Sequence, residues 1–470
     1  MNNNKYFIYG ITAVATLGGL LFGYDTAVIS GTTQSLGAFF VDPLGLEEAA
    51  ANSLKGFIIS SALIGCIIGG ISGGYMSKTY GRKKSLIVAA ILFFISALGS
   101  AMPEMFVRPI GEADHTFTTA FIIYRIIGGI GVGLASMISP MYISEIAPAD
   151  KRGKLVSFNQ FAIIFGMLIV YFVNFFIARQ GDDNWLNDIG WRYMFASETI
   201  PAGLFLIALF FVPETPRFMV LKGYDAEAEN VLVKINGAEK AKQILADIKG
   251  TVESHSGKLL SYGIGIIVIG MLLSAFQQFV GINVVLYYAP DIFRKMGSGT
   301  DAALMQTIIV GAINLTFTVV AIFTVDRFGR KPLMIIGAVG MAISMIALGS
   351  TFYAQSVGLG ALVFMLMYTA SFAVSWGPVC WVLLAEIFPN KIRSQAMAIA
   401  VATQWISNWL VSTTFPMMND SSFLIEKFHN GFAFWIYGLM SIIAAVFIWK
   451  YVPETKGKTL EEMEELWTKK

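Results

Sequence analysis

The chain has 470 residues, 56% of them hydrophobic and only 14% charged, with a formal net charge of +2 and a mean hydropathy of +0.66. That composition excludes a soluble enzyme, because most of such a chain has to sit in lipid. The small charge excess excludes a nucleic-acid partner and leaves a bilayer as the expected environment.

Crossing roughly 30 Å of hydrocarbon takes about 20 apolar residues. In chain order, spans are predicted near 7–29, 55–77, 84–103, 119–143, 155–178 and 193–212. The first is too long for a signal peptide and lacks a small-residue cleavage site, so it is expected to stay as a permanent helix. A polar insert follows over 214–257, where Val231, Leu232 and Ile235, then Ile244, Leu245 and Ile248, recur at helical spacing. Two or three short helices are expected there, with Asp225 as a helix cap. Six further spans are predicted near 258–288, 303–324, 333–353, 360–388, 394–415 and 431–452, and Thr459 with Glu462 has capping-box spacing for a last helix in the tail.

Twelve spans put both ends of the chain on one side, and lysine and arginine say which. Lys78, Arg82, Lys83, Lys151, Arg152, Arg327, Arg330, Lys331 and Arg393 fall in one set of loops, together with the basic insert and tail. The opposite loops hold Lys55, Arg108, Arg179, Arg192, Arg294, Lys295 and Lys427. Both termini and the insert are therefore expected in the cytoplasm. Cys66 and Cys380 fall inside spans, and His115, His255 and His429 fall in loops. Neither a disulfide framework nor metal-ligand spacing results, so no metal and no cofactor are expected.

Signatures repeat between the halves. SEIAPADKRG from Ser144 returns as AEIFPNKIRS from Ala385, GRKK from Gly81 as GRK from Gly329, and PETPR from Pro213 as PETKG from Pro453. Duplication in a polytopic membrane protein is the mark of a carrier built from two like halves. The expected fold is an all-α membrane protein with twelve transmembrane helices in two pseudo-symmetric six-helix bundles. Its parts are 1–213, a cytoplasmic helical insert over 214–257, 258–453, and a cytoplasmic tail over 454–470.

A charge at the bilayer centre costs about 2.5 to 3.5 kcal/mol on insertion scales and marks function. Asp25, late in the first span, and Arg125, early in the fourth, both map to the outer half of the membrane. A carboxylate whose partner comes and goes can carry a proton; the alternative is a permanent ion pair tying two helices. Glu198 in the sixth span is a third acidic candidate. The amides Gln160, Gln277, Gln278, Asn283, Asn314 and Gln404 each offer a donor and an acceptor, as does the Tyr287 hydroxyl. With the flat faces of Phe22, Trp376, Trp381 and Trp405, they suit a neutral polyol better than an ion. Amides that merely bridge helices, at about 0.6 kcal/mol each, are the plainer reading of any single one. Glycines at 69, 70, 73 and 74 and at 128, 129, 131 and 133 allow close helix contact, and with no strand before them and no Walker lysine they are not nucleotide loops.

The motifs GGLLFGYDTAVISG, RIIGGIGVGLAS, SFNQFAIIFG, PETPR, QQFVGINVVLYYAP, VDRFGRKP, WGPVCWVLLAEIFP and PETKGKTLEE together resemble the sugar porters of the major facilitator superfamily, over essentially the whole chain. The resemblance implies proton-coupled symport of a monosaccharide, D-xylose first, by alternating access in a bacterial inner membrane, by a monomer driven by the proton gradient. It implies that Gln160, Gln277, Gln278, Asn283, Trp381 and Gln404 bond the sugar, that Phe22, Tyr287, Gly377 and Trp405 line it, and that Asn314 lies nearby. Asp25 and Arg125 take the positions of the coupling pair, and Glu198 that of an acidic residue on the cytoplasmic side. Arg82, Glu145, Arg152, Arg330, Glu386 and Arg393 match a cytoplasmic salt-bridge gate between the halves, whose exposed pairs would be worth about 0 to 1 kcal/mol each. Two departures stand out. Lys78 and Thr79 replace the usual Asp-Arg of the first-half loop, while Asp326 and Arg327 keep it in the second, and Met167 stands where close xylose-carrying members have glutamine. A facilitative carrier and a membrane sugar sensor remain the alternatives.

Overall fold

In lipid every backbone N–H and C=O must be satisfied within its own segment, so the apolar runs fold as helices. The computed structural model describes residues 2–148, 151–252, 259–389 and 392–456, and no strand occurs among them. Eleven helices are long and apolar enough to cross a membrane among the described residues. The twelfth, span 11 (Arg393–Asn419), falls short in hydropathy because Thr403, Gln404, Ser407, Asn408 and Ser412 interrupt its apolar run. Ser407, Asn408 and Ser412 are buried, so that polarity faces protein and not lipid.

The first bundle consists of span 1 (Asn2–Val28), span 2 (Glu48–Tyr80), span 3 (Arg82–Ala101), span 4 (Thr118–Ile146), span 5 (Arg152–Ala178) and span 6, which runs as Trp191–Ser197 and Thr199–Phe210. The second holds span 7 (Ile264–Phe279, then Ile282–Lys295), span 8 (Thr300–Phe328), span 9 (Arg330–Tyr353), span 10 (Leu359–Val374, then Trp376–Ile387), span 11 and span 12 (Phe432–Tyr451). The bundles meet where span 2 packs on span 11 and span 5 on span 8, two seams related by the internal duplication. Within the first bundle the glycine runs let backbones touch: a Cβ on Gly129 would stand 1.8 Å from the Ala62 carbonyl oxygen.

The insert forms helices Pro216–Leu221, Asp225–Asn236 and Ala238–Val252. Asp225 is not the cap expected from the sequence. Tyr224 precedes the helix, while Asp225 sits in its first turn and pairs with Lys249 at 2.6 Å. The expected tail helix at Thr459 and Glu462, and His255, lie outside the described residues.

The repeated motifs converge on one staple per bundle. In the first, Arg82 Nη2 donates to Glu145 Oε1 at 2.6 Å, Thr215 Oγ1 donates to Glu145 Oε2 at 2.7 Å, and the Glu214 carboxylate caps span 3 by accepting from Arg82 N at 3.1 Å and Lys83 N at 3.0 Å. In the second, Arg330 donates to both Glu386 oxygens at 2.7 and 3.0 Å, Thr455 Oγ1 donates to Glu386, and Glu454 caps span 9 through Arg330 N at 3.1 Å and Lys331 N at 3.0 Å. These charges were expected to bridge the halves; instead the pairs stay inside each bundle. The reason is that each motif sits where consecutive helices of one bundle end together. Arg82 and Glu145 are also far from the exposed pair expected, at 9% and 8% side-chain exposure. Arg393 donates to the carbonyl of Phe388 at 3.1 and 3.2 Å, and Arg152 is exposed. Arg82 Nη1 donates to the Ser77 carbonyl at 3.0 Å, as Arg330 Nη1 does to the Val325 carbonyl at 3.4 Å in the second half; the Asp326 side chain lies outside the described set.

Spans 7 and 10 break near the middle of the second bundle. Gly281 ends the first segment of span 7 at φ +93°, and Tyr368 donates its hydroxyl to the freed Val280 carbonyl at 2.7 Å. A Cβ on Gly281 would meet the Tyr437 ring at 2.7 Å, whereas Gly297, also at φ +93°, has open space around it. Gly297→Ala should cost only the left-handed backbone penalty of about 1–2 kcal/mol, and Gly281→Ala distinctly more. Thermal unfolding of the two purified variants checks this; equal shifts would remove the ring contact from the account.

Candidate functional site

Span 1 brings Asp25, span 4 brings Arg125, and the interruption of span 6 brings Glu198 to one place inside the first bundle. Arg125 Nη1 donates to Asp25 Oδ1 at 2.7 Å, and its Nη2 to the Asp25 backbone oxygen at 3.3 Å. The guanidinium lies 5.2 Å over the Phe195 ring. Asp25 and Glu198 are fully buried and Arg125 is 1% exposed. Glu198, expected toward the cytoplasmic side, instead faces the Asp25–Arg125 pair closely enough to interact with both. Both Glu198 oxygens and Asp25 Oδ2 are buried without a hydrogen-bond partner.

Two carboxyls and one guanidinium buried together have a simple charge balance. With one proton between them the cluster is neutral, and with none it carries an uncompensated negative charge in a low-dielectric interior, which is costly. A protonated carboxyl would also supply a donor to the acceptors that now have none. The geometry therefore has room for one exchangeable proton. Beside it, the hydroxyls of Tyr24 and Ser197 meet at 2.7 Å and tie span 1 to span 6.

The amide set belongs mostly to the second bundle, and Gln277 is its hub. Its Nε2 donates to the Trp376 carbonyl at 2.9 Å and the Gly377 carbonyl at 3.3 Å, groups exposed by the break in span 10. Its Oε1 accepts from Gln404 Nε2 at 2.5 Å and Gln278 Nε2 at 3.3 Å. Asn283, just past the Gly281 break, donates to Gln278 Oε1. Tyr287 accepts from Asn408 Nδ2 at 3.4 Å, and the Phe22 and Trp405 rings meet across the bundles at 5.5 Å. Phe22, Gln160, Asn283, Gly377, Trp381 and Gln404 all keep partial exposure. Gln404 Oε1 has no partner.

One candidate lies elsewhere. Trp376 is fully buried and donates its indole N–H to the Met334 carbonyl at 2.9 Å, so its ring packs inside the second bundle and offers no face to a ligand. Asn314 is 3% exposed, and Met167 is 7% exposed, on a stretch of span 5 packed against span 1 at Gly23. Sequence reading missed Asn408, although its one-turn spacing from Gln404 on a polar span is a usable signal. It also missed Tyr171, whose hydroxyl donates across the bundles to the Leu286 carbonyl at 2.9 Å. Nothing in its apolar surroundings singles that tyrosine out.

A family model described as "Sugar (and other) transporter" matches residues 11–467. The chain belongs to the sugar transporter family. The D-xylose-proton symporter of Escherichia coli K12 is 63% identical, over 99% of this chain and 96% of its own length. The glucose facilitated diffusion protein of Zymomonas mobilis is 40% identical over 97% of each chain, and the arabinose-proton symporter of Bacillus subtilis is 39% identical over 98% and 96%. Among solved structures, the inward-open conformation of the xylose transporter XylE from E. coli matches with a TM-score of 0.90 at 61% identity, covering 98% of this chain and all of that one. XylE bound to 6-bromo-6-deoxy-D-glucose gives 0.85 at 63% identity, covering 99% and 100%. The fold is thus the major facilitator fold, and the protein is a transporter of the membrane, not an enzyme.

Proposed function

We propose that this chain is a proton-coupled symporter of a neutral monosaccharide, D-xylose first, working by alternating access in a bacterial inner membrane with both termini in the cytoplasm. Family membership alone leaves coupling open, since relatives at 40% and 39% identity are named as a facilitator and a proton symporter. The observation that carries the reading is the buried Asp25–Arg125–Glu198 cluster, which the 63% identity to a D-xylose-proton symporter supports.

In this reading a proton entering from outside neutralises the Asp25–Arg125–Glu198 cluster, and a sugar settles on Gln277, Gln278, Asn283 and Gln404, with Gln160 facing it from the first bundle. The bundles then rock about the seams between spans 2 and 11 and spans 5 and 8, and both cargoes leave inward. The Phe22–Trp405 contact links the two sites, because Phe22 lies one turn before Asp25. Both sites form within one chain, so a monomer suffices. No cofactor is needed, since the proton gradient supplies the driving force.

Adding D-xylose to lightly buffered, energy-depleted cells that express the protein should make the medium alkaline, with smaller responses to D-glucose and L-arabinose. Downhill entry of labelled D-xylose without any pH change would make the protein a facilitator and return Asp25 to a structural role.

A further inference from the structure

At the end of the molecule opposite the two staples, one residue that touches neither candidate site makes several of the links between the bundles. Asp420 follows span 11. Its Oδ1 accepts from Lys295 Nζ at 2.7 Å, and Lys295, at the end of span 7, also donates to the Asn419 carbonyl at 2.6 Å. Its Oδ2 accepts from Lys55 Nζ at 3.3 Å, and Lys55 belongs to span 2 of the other bundle. Asn52, nearly one turn before Lys55, donates its Nδ2 to the Asp420 carbonyl at 3.1 Å. Glu48, one turn earlier again, accepts from both the N–H and the hydroxyl of Ser422. Further along span 2, the Ser60 and Thr413 hydroxyls meet at 2.6 Å. Positions 48, 52 and 55 lie on one helical face, and that face is laid along the second bundle.

We propose that Asp420 is the latch of the outer gate: by joining Lys295 of its own bundle to Lys55 of the other, it sets how long the transporter rests with its outer end shut. This rests on the alternating-access reading above. The side chains of Asp420, Lys55 and Lys295 are 23%, 24% and 27% exposed, so the pairs are partly withdrawn from water and less screened than surface ones. Lys295 and the Asn419 carbonyl hold Asp420 in place within its own bundle, and the Lys55 arm crosses the gap between spans 2 and 11 as a charge pair; the other pair across the bundles at this end, Arg179 with Asp301 at 3.9 Å, is far more exposed, at 57% and 66%. The latch can therefore release without disturbing either bundle.

Its charge also survives the acidity that drives symport. Burial pushes the Asp420 carboxyl up, but Lys55 and Lys295 more than offset this and hold it below the usual carboxylate range. Asp291, Asp42 and Glu48 are the acidic groups around the same pair of lysines and Ser422. A carboxyl with a lowered value keeps its ion-pair contribution above its ordinary range and loses it only as pH falls through the lowered value. A moderately acidic exterior thus loads the coupling cluster while leaving the latch charged.

The test is the rate at which a membrane-impermeant maleimide, added outside to right-side-out vesicles without sugar, labels the full chain carrying Ser60→Cys, with the site assigned by mass spectrometry. In the parent the position is shut between spans 2 and 11 and labels slowly. Asp420→Asn should speed labelling at least about fivefold, the lower end of a typical coupling effect, and Asp420→Glu should return it toward the parent rate. Lys55→Gln removes the crossing arm alone and should match Asp420→Asn; it decides the matter if Asp420→Asn does not fold. Parent-like rates in folded Asp420→Asn or Lys55→Gln would overturn the latch. Because the assay needs neither proton coupling nor sugar, that failure is distinct from a failure of the symport reading.

Discussion

Replacing Asp25 with asparagine should abolish uphill accumulation of D-xylose while leaving exchange of labelled for unlabelled sugar across the membrane. A potential of 100 mV supplies about 2.3 kcal/mol per proton, enough to concentrate sugar roughly fiftyfold at one proton per sugar. In Asp25→Asn vesicles the ratio of inside to outside sugar should fall to about one, because that limit is set by coupling and not by speed. Asparagine keeps the size of the side chain and an oxygen to accept from Arg125 Nη1, so the contact now at 2.7 Å is retained in weakened form. Asp25→Ala should behave differently. It strands a guanidinium that is 1% exposed, at a cost of about 3–5 kcal/mol, and is expected to lower folded yield before any transport is measured. Accumulation surviving in Asp25→Asn would leave Glu198 as the sole proton site, and the double variant with Glu198→Gln would settle which carboxyl serves.

The second large effect is expected at Gln277. Truncation to alanine removes the group that holds Gln278, Gln404 and the open carbonyls of Trp376 and Gly377 in one network. Buried polar groups left without partners cost about 1–3 kcal/mol, so sugar binding should weaken by roughly five- to 150-fold. The KM for D-xylose entry should rise accordingly, and a saturation curve with Gln277→Ala reads it directly. Proton coupling should persist at saturating sugar, since Asp25 and Arg125 lie in the other bundle. An unchanged KM would mean that the network only braces spans 7, 10 and 11 and that the sugar binds elsewhere.

The spans and their pairing into two halves were legible because lipid enforces a simple rule on composition and the duplication repeats whole motifs. Asp25 and Arg125 were legible because charge inside a span is rare. What could not be read was which ends converge. The sequence shows that Arg82, Glu145, Arg330 and Glu386 are charged and repeated, but only the packing shows Glu145 meeting Thr215 and Glu386 meeting Thr455 within single bundles. Glu214 and Glu454 stand in the repeated PETPR and PETKG motifs, and only the packing shows that they cap spans 3 and 9. The depth of Glu198 was misjudged because a position along a span does not say which neighbours surround it. Trp376 was misread for a similar reason: one residue past a helix break, the direction of a side chain cannot be taken from periodicity.

The division of the two candidate sites between the bundles has a consequence for how such carriers change. Most of the amides sit in one bundle and the charge cluster sits wholly in the other, with Phe22 against Trp405 among the few contacts between them. Cargo recognition and energy input are then separable traits, each free to drift in its own half of the chain. On the symport reading, a lineage could trade a pump for a leak by loosening that aromatic contact while leaving the amides and the charge cluster as they are.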